Sequence, residues 1–119
     1  MKIYVLADNT DGSGLKGEWG LSFYIEYNGK TVLLDAGLSP LFAVNADKMG
    51  LDLNNVDYAV LSHAHDDHAN GFEKFFELND HAKLYVAGSC AENCYDRHGL
   101  RFKYAGIPRG IMSRYADRI

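Results

Sequence analysis

At 119 residues, 47% of them hydrophobic, the chain has the length for one domain and the apolar content for a packed core. Its formal charge of −4 argues against a dedicated nucleic-acid binder. No apolar run is long enough to span a bilayer or form a signal-peptide core, so no membrane association is expected and the compartment is expected to be the cytoplasm. The charge is uneven. Residues 1–94 hold fourteen acids and six lysines, whereas 95–119 hold two acids, five arginines and one lysine. That basic tail is either a solvated surface or a rim that attracts an anionic small-molecule substrate or a partner.

In chain order, residues 2–7 are rich in β-branched and aromatic types and predict a first strand. Asn9–Gly14 is a loop by composition and a candidate border of an active site. The alternation of Leu21, Phe23, Ile25 and Tyr27 with polar neighbours predicts a half-buried strand; Asn28-Gly29 supplies a tight turn and Thr31–Leu34 returns as its partner. Asp35 follows at the end of that strand. A buried carboxylate is costly without a donor, and the second ring N–H of a metal-bound histidine is one candidate.

Ser39-Pro40 predicts an N-cap with proline at the first helical position, and Phe42, Ala46 and Met49 line one face of a helix ending near Gly50. Val56–Leu61 is nearly all apolar, as for a strand covered on both faces. Phe72, Phe75 and Phe76 recur at helical spacing as a core stripe. Residues 81–88 predict a strand parallel to Val56–Leu61, since a helix separates the two. Arg101–Tyr104 is a candidate short strand, Gly106–Gly110 a turn, and the last nine residues follow no clear pattern. Cys90 and Cys94 are expected to be free thiols, with a further metal or redox site as the alternative.

Between the Val56–Leu61 strand and the Phe stripe lies His63-Ala64-His65-Asp66-Asp67-His68, three imidazoles and two carboxylates within six residues. A polar loop that happens to be rich in histidine is the bland alternative, but the strand-loop-helix context favours a metal site. In an extended loop, residues two apart project to one side, so His63 and His65 are expected to share one ion, while Asp67 and His68 reach a second after a turn. Two such ions lower the pKa of a shared water and polarise a carbonyl or phosphoryl oxygen, which is hydrolytic chemistry. Zinc suits the imidazole and carboxylate donors, as do iron and manganese.

Leu34-Asp35-Ala36-Gly37 together with Leu61–Gly71 resembles the metallo-β-lactamase-fold hydrolases. Trp19–Phe23, Asn45-Ala46 and Met49-Gly50-Leu51 are similar to the branch related to the archaeal dihydropterin ribofuranosyl-aminobenzene phosphate synthase. The resemblance implies an α/β (α+β) fold, the N-terminal half of an αββα sandwich, with a mixed sheet carrying helices on one face. Residues 1–119 would be a single truncated domain of this kind. It implies His63 and His65 on a first metal, Asp67 and His68 on a second, Asp67 as the catalytic candidate, and Asp35 as an outer partner of a ligand. Asp66 receives no role.

In that family the second half supplies another His for each metal and a bridging Asp, and neither His81 nor His98 stands in a matching motif here. His81 reads as a surface residue at a strand edge, and His98 lies in the irregular region where a lid would be. The expectation is therefore a two-zinc hydrolase acting on an ester, thioester, lactone or phosphoester, completed by a second copy of the chain, another polypeptide or a missing C-terminal half. The alternative is a non-catalytic metal-binding half-domain that self-associates. An oxidoreductase of the related diiron branch is disfavoured, because its pattern has Glu where this chain has His65. An exposed apolar sheet face would mark the interface, most simply for a homodimer.

Overall fold

The computed structural model describes residues 1–119 and is built on a five-stranded mixed sheet in which strand order follows the chain. Strands β1 (Lys2–Ala7), β2 (Ser22–Tyr27) and β3 (Lys30–Leu34) form an antiparallel meander, and β4 (Tyr58–Val60) and β5 (Lys83–Tyr85) extend it in parallel. Asn28 and Gly29 form the two-residue turn between β2 and β3 with φ of 48° and 71°. Positive φ at both positions is what lets so short a turn follow the twist of the strands.

Helix α1 (Leu41–Lys48) and a 3₁₀ turn (Leu53–Asn55) cross from β3 to β4. Helices α2 (Asp66–Ala69) and α3 (Phe72–Leu78) cross from β4 to β5. A separate hairpin of β6 (Tyr95–His98) and β7 (Arg101–Tyr104), then α4 (Ile111–Arg114), complete the chain. No helix is long and apolar enough to cross a membrane.

The register sorts the sheet into two faces. Tyr4, Tyr24, Leu33, Ala59 and Leu84 stand side by side across all five strands. This row packs with Phe42 and Ala46 of α1, Phe72, Phe75 and Phe76 of α3, and Ile107 and Ile111 into one core. Fully burying a side chain of the Phe or Leu class contributes roughly 1.5–3 kcal/mol, so this row and the aromatic stripe of α3 carry much of the fold. The helices accordingly lie on one face, as the resemblance implies.

The opposite face has two rows, Ile3-Ile25-Val32-Tyr58-Lys83 and Val5-Phe23-Leu34-Val60-Tyr85, and no element covers them. Ile3 is 53% and Tyr85 54% exposed. This corrects the expectation that Val56–Leu61 is sheathed on both sides: Val56, Ala59 and Leu61 are buried, but Tyr58 is exposed and Val60 only half-buried. The run is apolar because one side meets the helices and the other belongs to the bare face.

Other departures are local. Pro40 caps α1 rather than opening it, although the Ser39 hydroxyl still accepts from the Leu41 amide at 3.1 Å. Tyr95–His98 is a strand that composition did not reveal, because its four residues are all exposed and show no apolar alternation. Ile111–Arg114 supplies a helical turn in the tail, whose buried Ile111 joins the core.

Candidate metal centre

The cluster sits where β4 ends and α2 begins, and Asp35 fixes it from below. Asp35 is buried and left-handed, with φ of 57°, and its amide donates to the Val60 carbonyl at 2.9 Å. That conformation is uncommon for a residue bearing a side chain, and Asp is among those that tolerate it. It turns the carboxylate under the loop, where Oδ1 accepts from the Ser62 amide at 2.7 Å. Oδ2 accepts from the Ser62 hydroxyl and from His68 Nδ1, each at 2.7 Å. The donor that a buried carboxylate demands is thus provided three times, once by the His68 ring.

These bonds dictate tautomers. His68 Nδ1 carries a proton to reach an acceptor-only carboxylate, which leaves the Nε2 lone pair free. The Ser62 hydroxyl gives its one proton to Asp35, so His63 Nδ1, 2.9 Å away, donates to that oxygen and His63 Nε2 is likewise left as an acceptor. His68 Nε2 lies 3.6 Å from Asp67 Oδ2, and His63 Nε2 lies 3.2 Å from His65 Nδ1. One donor atom from each of His63, Asp67 and His68 falls within 4.8 Å of the others. Acceptors converging in this way, with their outer nitrogens held by partners, fit a divalent cation of the zinc class.

His63 adjoins residues of both expected pairs. His63 stands at the centre, its ring 4.7 Å from that of His65 and 4.1 Å from that of His68, so it adjoins both candidate positions. The reason is that α2 begins immediately after His65, bringing Asp67 and His68 back over His63. Burial pushes the His63 imidazole below its usual pKa, the neighbouring His68 and His65 add to this, and Asp35 and Asp67 oppose it. The neutral ring favoured by that balance is the form that ligates metal.

Two close backbone approaches hold the loop. The Leu21 amide donates to the Asp67 carbonyl at 3.3 Å, and a Cβ on Gly20 would run into that same carbonyl. The Ala36 amide donates to the His68 carbonyl at 2.8 Å, and a Cβ on Gly71 would strike the Ala36 carbonyl. On the far side the Asp66 amide donates to the Ala105 carbonyl at 3.0 Å, and His65 bridges to Gly106. Ser62, Gly20 and Gly71 lie within the stretches that carry the resemblance but receive no role from sequence, because their part depends on neighbours distant along the chain.

The other histidines lie apart. His81 is exposed and bonded to Asp80, and His98 is exposed on β6. Cys90 and Cys94 are unpaired, and burial raises the pKa of both thiols. Among acidic and imidazole side chains gathered closely enough for a metal, His63, Asp67 and His68 form the one group.

The family description that matches the chain is the metallo-beta-lactamase superfamily, over residues 19–119. An uncharacterized protein of Methanocaldococcus jannaschii is 35% identical over 75 residues, covering 63% of this chain and 29% of that protein. The anti-Pycsar protein Apyc1 of Paenibacillus harenae is 32% identical over 98 residues, covering 78% of this chain and 39% of that protein. Among solved structures, Tm1679, described as a metal-dependent hydrolase of the beta-lactamase superfamily, superposes with a TM-score of 0.53 at 23% identity. The superposition takes in 82% of this chain and 44% of that one, and so bears on the fold alone. The chain therefore spans under half the length of these relatives.

Proposed function

Because the chain belongs to the metallo-beta-lactamase superfamily, we propose that it is a metal-dependent hydrolase whose centre holds two zinc ions, acting on an ester, thioester, lactone or phosphoester of a small anionic molecule. The observation that carries this reading is the convergence of free donor atoms from His63, Asp67 and His68, with His68 braced by Asp35. His65 would complete the first position beside His63, and Asp67 with His68 would hold the second. Bound there, the ions would supply Lewis acidity, acidifying a water and polarising the scissile carbonyl or phosphoryl oxygen.

The chain's own residues do the positioning. Ser62 and Asp35 fix the ring planes of His63 and His68 and keep their outer nitrogens protonated. Asp67, anchored through its carbonyl by Leu21, keeps its carboxylate beside His68 Nε2, where it could hold a proton from the attacking water. A catalytic zinc wants three protein ligands, and His63, His65, Asp67 and His68 offer two for each ion. The remaining ligands are proposed to come from a second copy of the chain, another polypeptide or the C-terminal half of a longer chain. A cytoplasmic setting accords with the unpaired Cys90 and Cys94. The second reading is a metal-binding half-domain without turnover, for which the bare sheet face would serve self-association alone.

The test is metal content together with turnover. Dialysed against zinc, the protein should retain close to two ions per chain, and replacing His63 and His65 together should abolish uptake at the first position. Unchanged zinc content in that double variant would sink the assignment. Full metal content without hydrolysis of phosphodiesters, lactones or thioesters would select the half-domain.

A further inference from the structure

We infer that the outer edge of β1 is a docking site for an extended, uncharged peptide segment of a partner protein, which enters a groove between β1 and residues 10–16 and joins the sheet as an added strand. No residue of the His/Asp cluster lines this groove, and the inference does not depend on the metal reading.

The two edges of the sheet differ. At the β5 edge the Leu84 amide donates to the Arg118 carbonyl at 2.8 Å, and the Arg118 guanidinium donates to the carbonyls of Asn79 and Ala82. At the other edge β1 pairs with β2 alone. From outside β2, one bond reaches Lys2–Ala7: Asn45 Nδ2 donates to the Leu6 carbonyl at 2.8 Å. The backbone groups of an edge strand that face away from its neighbour form a row of donors and acceptors, and a second extended backbone is the group that matches such a row.

A cavity of about 350 Å³ lies along this edge, lined by every residue from Ile3 to Ala7. Successive residues of a strand point to opposite faces, so a cavity that meets all five runs along the edge and not over one face. Its far wall is the loop that carries Leu15. That loop is built, because Gly12 and Leu15 exchange both of their backbone bonds and the Asp11 carboxylate accepts from the Gly17 amide at 2.8 Å. Asn45 Nδ2 joins the two walls by donating to the Lys16 carbonyl as well as to Leu6. A loop serving only to cover the edge would lie against it and fill the space.

The same groove lacks a donor. Asn45 lines it and is 1% exposed, and its Oδ1 is the one buried side-chain oxygen or nitrogen in the chain without a hydrogen-bond partner. An orphaned acceptor of this kind calls for a donor, and an added strand brings amide N–H groups to that end of the groove. Shape and charge then select the occupant. With a wall on each long side the groove takes a single strand, whereas the edge of a second copy would bring its own neighbouring strand and loop. Lys16, the one cation on the lining, is paired with Asp11, and the Asp8 carboxylate accepts from the Thr10 amide. Val5, Leu15 and Met49 are left to meet apolar side chains.

The probe is a blocked pentapeptide of alternating threonine and valine, titrated into the isotope-labelled chain while backbone amide resonances are followed by NMR. Saturable shifts should be confined to residues 2–7 and 10–16 and to Asn45 and Met49, and solvent exchange of alternate β1 amides should slow by about tenfold or more. The same peptide methylated on its amide nitrogens keeps its side chains and loses its donors, and should bind roughly tenfold more weakly or not at all. Leu15→Asp should weaken the unmethylated peptide by about fivefold or more, with a thermal midpoint matching the parent. Should that variant misfold, the two peptides compared on the parent chain decide alone. Absence of saturation, equal binding of the methylated peptide, or shifts centred on Tyr58 and Tyr85 of the bare face would each overturn the docking site. Slow exchange of the β1 amides without peptide, together with a dimer in sedimentation, would assign the edge to a second copy and overturn the peptide as its occupant.

Discussion

The side chain of Asn79 is fully buried and uses every hydrogen-bonding position it has. Its Nδ2 donates to the carbonyls of Leu53, Asn54 and Val56, and its Oδ1 accepts from the amides of His81 and Ala82 and from the Arg118 guanidinium. Asn79→Ala would strand several of these groups out of water, so a loss of about 2–4 kcal/mol is expected in urea unfolding. Asp35 is comparable but closer to function. Asp35→Ala should cost a similar amount and lower zinc affinity by roughly 10–100-fold, whereas Asp35→Asn should fold better while still binding zinc more weakly, read by competition with a chelating dye. The need of Asp35 for a donor was legible in the sequence, because a carboxylate ends an apolar strand there. The hubs at Asn79 and Ser62 were not, since an asparagine after an amphipathic helix looks like any other terminus until the loops that converge on it are known.

At the scale of elements, periodicity and turn chemistry were sufficient wherever an element is defined by its own residues. The β2–β3 hairpin follows from alternation around Asn28-Gly29, and α3 from its phenylalanine spacing. The helical turn at Asp66–Ala69 escaped because it is set by tethers from Leu21, Ala36 and Ala105 rather than by propensity. Gly20 shows this dependence directly: it has φ of 134° and no room for a Cβ beside Asp67. Gly20→Ala should therefore destabilise the chain by about 1–3 kcal/mol and reduce zinc uptake together, measured by thermal unfolding and metal analysis. A further tether joins β3 to the approach of β4. Hydrogen bonds from Lys30 and the Thr31 amide hold the Asp57 carboxyl below its usual pKa. A folded-state pKa that is depressed gives stability present above the unfolded value and lost as pH falls through the folded one. Asp57→Asn should consequently lower stability slightly at neutral pH and leave strong acid little changed, which flattens the acid limb of the stability profile, with the carboxyl itself followed by NMR titration.

For the whole molecule the governing fact is the bare face of the sheet. Its two rows contain nine uncharged apolar or aromatic residues and one lysine, Lys83 at the edge. A second copy could lie against it with few like charges opposed, and the proposed centre needs ligands from outside this chain. Sedimentation should show a concentration-dependent dimer, and Ile25→Glu, in the middle strand of the meander and away from the cluster, should return it to monomers without lowering the zinc bound at the first position. A parent chain that stays monomeric at high concentration would remove this interface. The half-sandwich layout was legible in the sequence through its motif; the size and apolar character of the face required the register.

The strand order has a consequence for how the molecule is made. Because each strand pairs with the one before it in the chain, from β1 to β5, no strand waits for a later one to be inserted beside it. The antiparallel meander of β1 to β3 needs no later strand, so it can form while the parallel part of the sheet is still being synthesised. The bonds from Asp35 to Ser62 and His68 can close once residue 68 has emerged, ahead of β5, the hairpin and α4. The Asp35 brace on Ser62 and His68 would then be in place before Ala105 and Gly106 close on Asp66 and His65, leaving an interval during synthesis in which that side of the cluster is open to an ion.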